Sequence, residues 1–380
     1  MVSMPQNWIV IGAGRQGPAV AYDLAKFGNP DALVLADSDL ELATKASDQV
    51  NSLLRSTVVK PMALDLTDKS ALREALSGRS LAVAAAPYHL NPLVSLAGID
   101  VGCNVVDMGV DTPDALDVHK RDDEARTKGV SIVTDCGVAP GLVNILARKL
   151  IDDNPTASSV RLYCGGLPES AEPPFFHRVG FSVESLLGEY VDDVYSLRDG
   201  KVVSHEALDG LETLDFGALG TFEAASTSGG TGTAPYNLPG RIENYEYKTL
   251  RYPGHWGAML FMRDAGLWSE ETLDCGVSPR AVTLELMARK MVRADDRDIV
   301  VTRVMVTGPD GTKGYDVIDR FDPETGFTGM QRTTGFSTAI VAHAVASGQV
   351  RTGCMACESA IDPDTFFVQA ERRGMSLAEC

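Results

Sequence analysis

Three glycines near the N-terminus have the spacing of a phosphate-binding turn, G-x-G-x-x-G. They are Gly12, Gly14 and Gly17. They follow the apolar run Trp8–Ile11 and precede a helix-like segment, residues 18–27. The first glycine permits a tight turn, the second lets the backbone approach a ligand, and the third allows the helix to pack on the strand. Because a helix N-terminus attracts negative charge, this motif, with Arg15 and Gln16 inside it, predicts a site for the pyrophosphate of a dinucleotide.

A carboxylate follows the second apolar run, about 20 residues after the last glycine. Asp37 ends the run LVLAD, where a carboxylate accepts both ribose hydroxyls of NAD and repels the 2′-phosphate of NADP. The sequence therefore predicts NAD as the cofactor. After the third run, Asp65 could reach the adenine amino group. A helix-capping role for Asp65 is equally consistent with the sequence Asp-Leu-Thr-Asp, with Thr67 and Asp68 as rival caps.

Polar side chains also follow the later apolar runs. Asp107 and Asp135 each follow such a run, and residues 87–91 (PYHLN) follow another. In an open parallel sheet the ligand crevice lies outside the carboxyl ends of the strands. A carboxylate there could bind a substrate ammonium and accept its proton, so Asp107 is the first catalytic candidate and Asp135 the second. The alternative is that both aspartates cap helices or tie loops.

Neighbouring residues are candidates for shaping the ligand site. Pro87 is a candidate contact for the cofactor, and Tyr88 is one for the substrate. Gly137 and Pro140 predict a tight turn under a nicotinamide ring. Cys136, beside that turn, could instead act as a thiol nucleophile and direct the chemistry toward semialdehyde oxidation. No histidine at a motif distance supports that alternative.

Basic and hydroxyl side chains in the second half could bind an anionic group. Arg251 is the first candidate to hold a substrate carboxylate, because a guanidinium pairs with it through two parallel hydrogen bonds. Lys248 is the fallback. Thr227 and Ser228, in the small-residue loop 226–233, could donate further hydrogen bonds to the same carboxylate. The alternative for this loop is a flexible surface segment.

Histidine is the side chain whose ordinary pKa, about 6.5, suits proton transfer near neutral pH. His255 is the first candidate for a base or proton shuttle, and His89 is its rival. The remaining histidines lie in contexts that favour structural roles; they are His119, His177, His205 and His343. The residues thus predict a nucleotide site with a carboxylate, an arginine and a histidine around a small substrate.

The elements that must position these residues are visible in the hydrophobic pattern. Short apolar runs alternate with helix-like stretches over the first 143 residues, as in a parallel sheet built from βαβ units. The runs are Trp8–Ile11, Ala32–Ala36, Val58–Leu64, Leu81–Ala85, Val105–Met108 and Ser131–Thr134. We expect an α/β fold with a Rossmann-type, doubly wound parallel sheet.

Beyond Leu150 the pattern changes to β-rich pieces punctuated by Gly and Pro. We expect strands at Ser159–Gly166, Tyr245–Tyr252, Ile299–Val306 and Gly326–Thr334, and a solvated turn or helix end at residues 293–298. An apolar helix, Ser337–Ala346, should return to the first domain. Residues 1–145 and 337–380 are therefore assigned to the dinucleotide-binding domain. Residues 146–336 are assigned to an inserted α/β domain with a mixed sheet for substrate binding and oligomerisation.

The composition excludes several classes of protein. Asp and Glu number 52 against 34 Lys and Arg, a net charge of -18 that opposes binding to nucleic acid. The sequence has neither a membrane-spanning apolar run nor the basic start of a signal peptide. Seven scattered cysteines suit a reducing cytosol. Cys354 and Cys357 lack a second ligand pair, so no metal is expected, and we expect a cytoplasmic protein with a small-molecule substrate.

Five segments, taken together, resemble the saccharopine dehydrogenase-like superfamily. Within it, they are most similar to the L-lysine 6-dehydrogenases. They are Val105–Gly109, Asp135–Asn144, Gly165–Pro168, Thr227–Thr231 and Tyr247–His255. The resemblance implies a Rossmann domain, an inserted substrate domain, a C-terminal return and a homodimer or homotetramer. It also implies NAD-dependent oxidation of the ε-amino group of L-lysine to the 6-semialdehyde and ammonia. The chain departs from the family pattern at Cys136 and from Thr352 onward, which leaves the exact substrate open.

Two other functions stay open. Saccharopine-forming and carboxynorspermidine-forming relatives join an amine to a carbonyl compound reductively with NAD(P), and their chemistry needs a pocket for a larger adduct. A nucleotide-sensing module would keep the same fold and bind NAD without turnover. Reduction of NAD by an amine distinguishes the enzymes from the sensor.

Overall fold

The computed structural model describes residues 6–179, 183–292 and 297–380. The strands in this part of the chain are β1 Asn7–Ile11, β2 Ala32–Asp37, β3 Val59–Ala63, β4 Leu81–Ala84, β5 Asn104–Asp107, β6 Ser131–Thr134, β7 Ser159–Pro168, β8 Val194–Arg198, β9 Lys201–His205, β10 Glu212–Asp215, β11 Thr221–Ser226, β12 Asn244–Arg251, β13 Asp298–Gly308, β14 Gly311–Arg320, β15 Gly353–Ala356 and β16 Leu377–Glu379.

The α-helices of the same residues are α1 Gly17–Gly28, α2 Leu40–Leu54, α3 Lys69–Leu76, α4 Asn91–Val101, α5 Thr112–His119, α6 Asp122–Lys128, α7 Leu142–Asp153, α8 Val183–Val191, α9 Ala234–Asn237, α10 His255–Asp264, α11 Pro279–Met291, α12 Ser337–Ala346, α13 Cys357–Ala360 and α14 Pro363–Glu371. A short 3₁₀ turn lies at Gly217–Leu219, and a π-helical segment, Gln331–Phe336, directly precedes α12. None of the described helices is long and apolar enough to cross a membrane.

The first sheet is parallel and buried. Within the described residues its seven strands follow the order β15-β6-β5-β4-β1-β2-β3. Every residue of β4, β6 and β15 is buried, because helices cover both faces of a sheet of this type. Six of these strands lie within a residue or two of the predicted runs, whereas β15 was not predicted. The glycine motif connects β1 to α1, as a dinucleotide-binding turn requires.

The second sheet is mixed. Its strands within the described chain follow the order β10-β11-β12-β7-β13-β14-β16, and β8 pairs with both β12 and β9. Strands β12 and β7 run parallel, whereas the other pairs are antiparallel. The predicted fold class, a Rossmann-type parallel sheet with a separate mixed sheet, is therefore confirmed.

The segment predicted as a last strand, Gly326–Thr334, is helical instead. Its helix begins with a reciprocal capping box: the Gln331 N–H donates to Thr328 Oγ1 at 3.0 Å, and the Thr328 N–H donates to Gln331 Oε1 at 2.9 Å. The Asp298 carboxylate accepts from the N–H groups of Gly329 and Met330 in the same turn. These contacts satisfy the free N–H groups of a helix start, so the strand prediction was wrong.

The C-terminal part of the chain contacts both sheets. Strand β15 pairs with β6 in the first sheet, and β16 pairs with β14 in the second. Residues 377–379, which the sequence analysis grouped with the first domain, thus belong to the mixed sheet. Of the charged stretch 293–298, residues 293–296 lie outside the described residues.

A buried ion pair joins the C-terminal return to α1. The Asp23 carboxylate accepts two hydrogen bonds from the Arg373 guanidinium, at 2.6 Å and 2.8 Å, and His343 Nε2 lies 3.1 Å from the same carboxylate. The side chains of Asp23 and Arg373 are 0% and 1% exposed. Such a bidentate pair sets the position of α14 relative to α1, because each buried charge needs the other to offset the cost of its desolvation.

Breaking this pair should strongly destabilise the fold. Arg373→Met leaves the Asp23 carboxylate buried without its main partner, and we expect a loss of about 3–5 kcal/mol in the free energy of unfolding. Urea denaturation measures this value. The control is Arg289→Met, which removes a surface pair with Glu285 whose side chains are 70% and 61% exposed; it should cost at most about 1 kcal/mol. Equal losses in both variants would contradict the structural role of the buried pair.

Candidate active site

A cleft of about 590 Å³ lies between the two sheets. One wall comes from the carboxyl ends of the first sheet, at residues 15–16, 85–88, 108–111 and 138–140. The second wall, opposite this first wall, comes from β7, residues 177–179, α8 and β12. A third wall comes from the segment that precedes α12, at residues 328, 330, 331 and 334. The cleft therefore lies where ligands bind in open α/β sheets.

The glycine turn forms an open edge of this cleft. Gly12 has φ of 107°, and a Cβ there would lie within 3 Å of the backbone after β4. Only glycine therefore fits at this position. Gly14 has no neighbouring atom within 4 Å of a Cβ position, which leaves room for a bound group. The N-terminus of α1 lies directly behind it. This geometry fits the pyrophosphate of a dinucleotide.

Asp37 lies at the end of β2, beside the glycine turn. Its carboxylate accepts from the N–H of Ala13 at 2.8 Å and from the N–H of Asp39 at 3.1 Å. Asp65 lies outside the cleft lining, and its carboxylate accepts from Thr67 twice, which lowers its pKa. Asp68 caps α3. The turn thus provides Asp65 with local partners, and its predicted contact with adenine stays a prediction.

The carboxyl groups of Asp107 and Asp135 are buried next to each other behind the first wall. Asp107 Oδ1 accepts from the Asp135 N–H at 2.9 Å, and Asp135 Oδ1 accepts from the Val110 N–H at 3.2 Å. Burial raises the pKa of Asp107 to about 7. Burial and the neighbouring Asp107 raise the pKa of Asp135 well above its ordinary value. Neither residue lines the cleft, so both occupy the predicted edge of the sheet without reaching the ligand space.

Asp111, which the sequence analysis did not single out, lines the cleft instead. It follows Asp107 by four residues, and its half-buried side chain stands in the first wall with Tyr88. Burial raises the pKa of Asp111, and the nearby carboxylates of Asp192 and Asp114 raise it further. Strand position identified the correct loop, but only the path of the loop decides which carboxylate faces the cleft.

The predicted turn at the nicotinamide position is present. Pro87 and Pro140 line the cleft. Gly137 lies beneath, where a Cβ would come within 2.5 Å of the Met108 carbonyl oxygen. The Cys136 thiol is buried, donates toward the carbonyl groups of β6, and has a pKa raised well above its ordinary value by burial. A protonated thiol outside the cleft lining is a poor nucleophile.

Arg251 lies in the opposite wall and lines the cleft although it is only 3% exposed. Its Nε donates to the Tyr190 hydroxyl at 3.2 Å, and its Nη1 donates to the Leu250 carbonyl at 3.0 Å. Nη2 lies 3.8 Å from the Glu189 carboxylate. Lys248, the fallback, points elsewhere and binds Glu212 at 2.6 Å. The guanidinium is therefore held rigidly, with one edge next to the ligand space.

His255 lies behind Arg251. It is 0% exposed, and its ring nitrogens contact the Tyr190 hydroxyl at 3.0 Å and the Phe175 carbonyl oxygen at 2.7 Å. Burial and the Arg251 charge lower the pKa of His255 to about 3. Both nitrogens are occupied, so in this geometry His255 supports Tyr190 and Arg251. His89, its rival, is exposed beside Tyr88 and does not line the cleft.

The loop 226–233 is packed and well connected. Thr227 Oγ1 lies 2.7 Å from Thr249 Oγ1, behind the cleft surface. Ser228 lines the cleft, but its hydroxyl donates to the Asp193 carbonyl at 2.8 Å. The ring of Tyr247 occupies the space that a Cβ at Gly230 would need. The loop is therefore a structural part of the second wall, and its backbone faces the cleft at Ser228 and Gly229.

Further polar side chains of the second wall were missed by the sequence analysis. Glu189, on α8, lines the cleft, and burial raises its pKa to about 7 although the Arg251 charge opposes this shift. His177, predicted to be structural, also lines the cleft. Both lie in segments that carry no motif. Both lie near Arg251 only because the folded chain brings distant segments together.

The cysteine pair does not form a metal site. Cys354 lies in β15, and the Cys357 thiol contacts the Gly141 carbonyl oxygen at 3.7 Å. Among residues 6–179, 183–292 and 297–380, no group of three or more His, Cys, Asp or Glu side chains could hold a metal ion.

Two family profiles match the chain. The Saccharopine dehydrogenase NADP binding domain matches residues 8–133, and the Saccharopine dehydrogenase C-terminal domain matches residues 137–375. Together they cover both walls of the cleft.

Curated relatives are more distant in sequence. The mitochondrial alpha-aminoadipic semialdehyde synthase of Mus musculus is 27% identical over 53% of this chain and 22% of its own length. Saccharopine dehydrogenase (NADP(+), L-glutamate-forming) of Saccharomyces cerevisiae is 26% identical over 54% of this chain and 45% of its own length. The chain thus spans less than half the length of these two relatives.

A solved structure shares the whole fold. Apo histidine-tagged saccharopine dehydrogenase (L-Glu forming) from Saccharomyces cerevisiae superposes with a TM-score of 0.78 and 19% identity, over 99% of both chains. This likeness supports the two-sheet architecture. The two profiles, one of which covers residues 137–375, show that the chain belongs to the saccharopine dehydrogenase family.

Proposed function

We propose that the protein is an NAD-dependent dehydrogenase that oxidises a carbon–nitrogen bond of an amino acid. The observation that carries this proposal is the pair of opposite charges in the second wall. Arg251 and Glu189 lie 3.8 Å apart at the edge of a cleft whose other wall is a dinucleotide-binding turn. A guanidinium suits a carboxylate and a carboxylate suits an ammonium, so the pair matches an amino-acid head group.

The side chains of the first wall suit the reacting end of the substrate. The bound nucleotide supplies the hydride acceptor when present. Asp111, with its raised pKa, accepts a proton from the substrate amine, which must be neutral before its carbon loses hydride. The resulting imine takes up water and yields an aldehyde and the released amine. Tyr88 lines the same wall, close enough to the Asp111 carboxylate for that charge to raise the pKa of the tyrosine further, beyond the effect of burial.

The first candidate substrate is saccharopine, a secondary amine that joins lysine to a five-carbon diacid. A relative of this chain is named for saccharopine, and its name describes it as L-glutamate-forming. Arg251 in the second wall suits one of its carboxylates.

The second candidate is L-lysine, oxidised at its ε-amino group. It is supported by the sequence resemblance to L-lysine 6-dehydrogenases and by acidic side chains in the cleft. Asp111, Glu189 and Asp192 line it, and a substrate with two ammonium groups would use these carboxylates.

Product analysis separates the two candidates. We expect NADH to form when the purified protein is given NAD and saccharopine, with L-glutamate and the semialdehyde as products. L-Lysine alone should give little NADH and no ammonia. NADH and stoichiometric ammonia from L-lysine would instead assign the second candidate, and no NADH from either compound would reject the proposed function.

Asp111→Asn should remove the proton acceptor. We expect kcat to fall about 100-fold or more, because general base catalysis contributes about 10²–10⁴-fold. The raised pKa makes the base form disappear as pH falls, so kcat/KM of the unmodified protein should drop on the acid side. The variant should lack that dependence. The control is Asp117→Asn, whose carboxylate is 70% exposed and paired with Lys120; a matching loss there would contradict the role of Asp111.

Asp37→Ser should change the cofactor preference. The carboxylate repels a 2′-phosphate, so we expect the kcat/KM ratio of NAD to NADP to fall by about 10-fold or more. Steady-state kinetics with both nucleotides measures the ratio. Asp48→Asn, an exposed position on the following helix, should leave it unchanged. A wild-type protein that prefers NADP would contradict the assignment of Asp37.

A further inference from the structure

His177 lies in the cleft wall with both ring nitrogens unpaired. It is 7% exposed and lines the cleft, yet neither Nδ1 nor Nε2 has a hydrogen-bond partner among the described residues. Buried polar groups nearly always have partners, and a missing one costs stability. The structure therefore contains an unpaired donor and an unpaired acceptor on a side chain that lines the cleft.

The other histidines that are not exposed provide a contrast. Each has a side-chain partner within about 3 Å: Thr134 for His119, Ser196 for His205, Tyr190 for His255 and Asp23 for His343. A histidine with a purely structural role in this chain is thus hydrogen-bonded. His177 departs from that pattern at the cleft surface.

The surroundings keep His177 neutral. Burial is the main cause that holds its pKa well below the ordinary value, and the charge of Arg251 and the ring of His255 add to it. The ring centroids of His177 and His255 are 5.4 Å apart in an edge-to-face arrangement. The nitrogens of His255 are already bonded to Tyr190 and Phe175, so His255 does not satisfy His177. A neutral imidazole offers one N–H donor and one acceptor nitrogen.

We propose that His177 completes the head-group site of the substrate by donating its ring N–H to the carboxylate that Arg251 binds. Glu189 then contacts the adjacent substrate ammonium. This inference rests on the proposed function, since it names the part of an amino-acid substrate that the second wall recognises. It assigns substrate affinity to a residue that carries no sequence motif.

His177→Phe tests this role, because it keeps a planar ring of similar volume and removes both nitrogens. We expect the affinity for saccharopine and L-lysine to fall about 10- to 100-fold, the usual effect of losing a hydrogen bond to a charged group. Isothermal titration calorimetry with NADH-saturated protein measures it. The melting temperature should stay equal or rise, because the unpaired polar atoms are gone. The dissociation constant of NADH should change less than about twofold.

Three controls complete the experiment. His177→Asn retains one donor and one acceptor and should recover part of the affinity. His205→Phe alters a half-exposed histidine on β9, outside the cleft, and should have no effect on substrate affinity. Cadaverine, which has two amines and no carboxylate, should bind equally to the unmodified protein and to His177→Phe.

The outcomes separate this inference from the proposed function. Turnover of an amino acid with unchanged affinity in both His177 variants overturns the role of His177 and leaves the function intact. Binding of saccharopine or L-lysine that depends on His177, without NAD reduction, overturns the function and retains the head-group site. A lower melting temperature with unchanged affinity assigns His177 a structural role and also rejects the inference, as does a wild-type protein that binds neither amino acid.

Discussion

The packing of the returning chain against α1 is the contact on which the cleft depends. Gly335, in the π-helical segment, lies so close to α1 that a Cβ would come within 2.9 Å of the Ala19 side chain. Gln331 Nε2 donates to the Arg15 carbonyl at 2.6 Å, inside the glycine turn. The N–H groups of Gly329 and Met330, at the start of the helical segment that contains Gln331, donate to the Asp298 carboxylate at the start of β13. A single helix start therefore holds the nucleotide-binding turn and the mixed sheet at a defined separation, and the cleft is the space left between them.

The charges in this cleft are effective because their supports are uncharged. Arg251 is held by a hydroxyl and a carbonyl, and the hydroxyl is in turn held by a neutral histidine. Had the support been a buried carboxylate at hydrogen-bonding distance, it would have neutralised the guanidinium before any ligand arrived. Glu189, at 3.8 Å, is too far for a close pair. The arrangement leaves the positive charge of a nearly buried guanidinium available to a carboxylate.

The sequence was a good guide to the first sheet and to the type of site, and a poorer guide to individual side chains. Strands buried on both faces read as continuous apolar runs, so β1 to β6 could be located. Strand β9 has no buried residue and gave no such signal. Helix-capping chemistry was overlooked at Thr328 and Gln331, where apolar residues suggested a strand. His177 and Glu189 are brought to Arg251 by packing over long sequence separations, which a local pattern cannot reveal.

The two halves of the cleft have different parts in the proposed reaction. The residues that we assign to the nucleotide lie on loops of the first sheet, whereas Glu189, His177 and Arg251 lie on the mixed-sheet side. The halves approach each other at Gly188, where a Cβ would lie 3.7 Å from the Tyr88 hydroxyl. A larger residue there would narrow the passage between the head-group site and the nucleotide turn. In the proposed reaction, the distance across this passage limits the length of the substrate, while head-group recognition and cofactor choice depend on residues on either side of it.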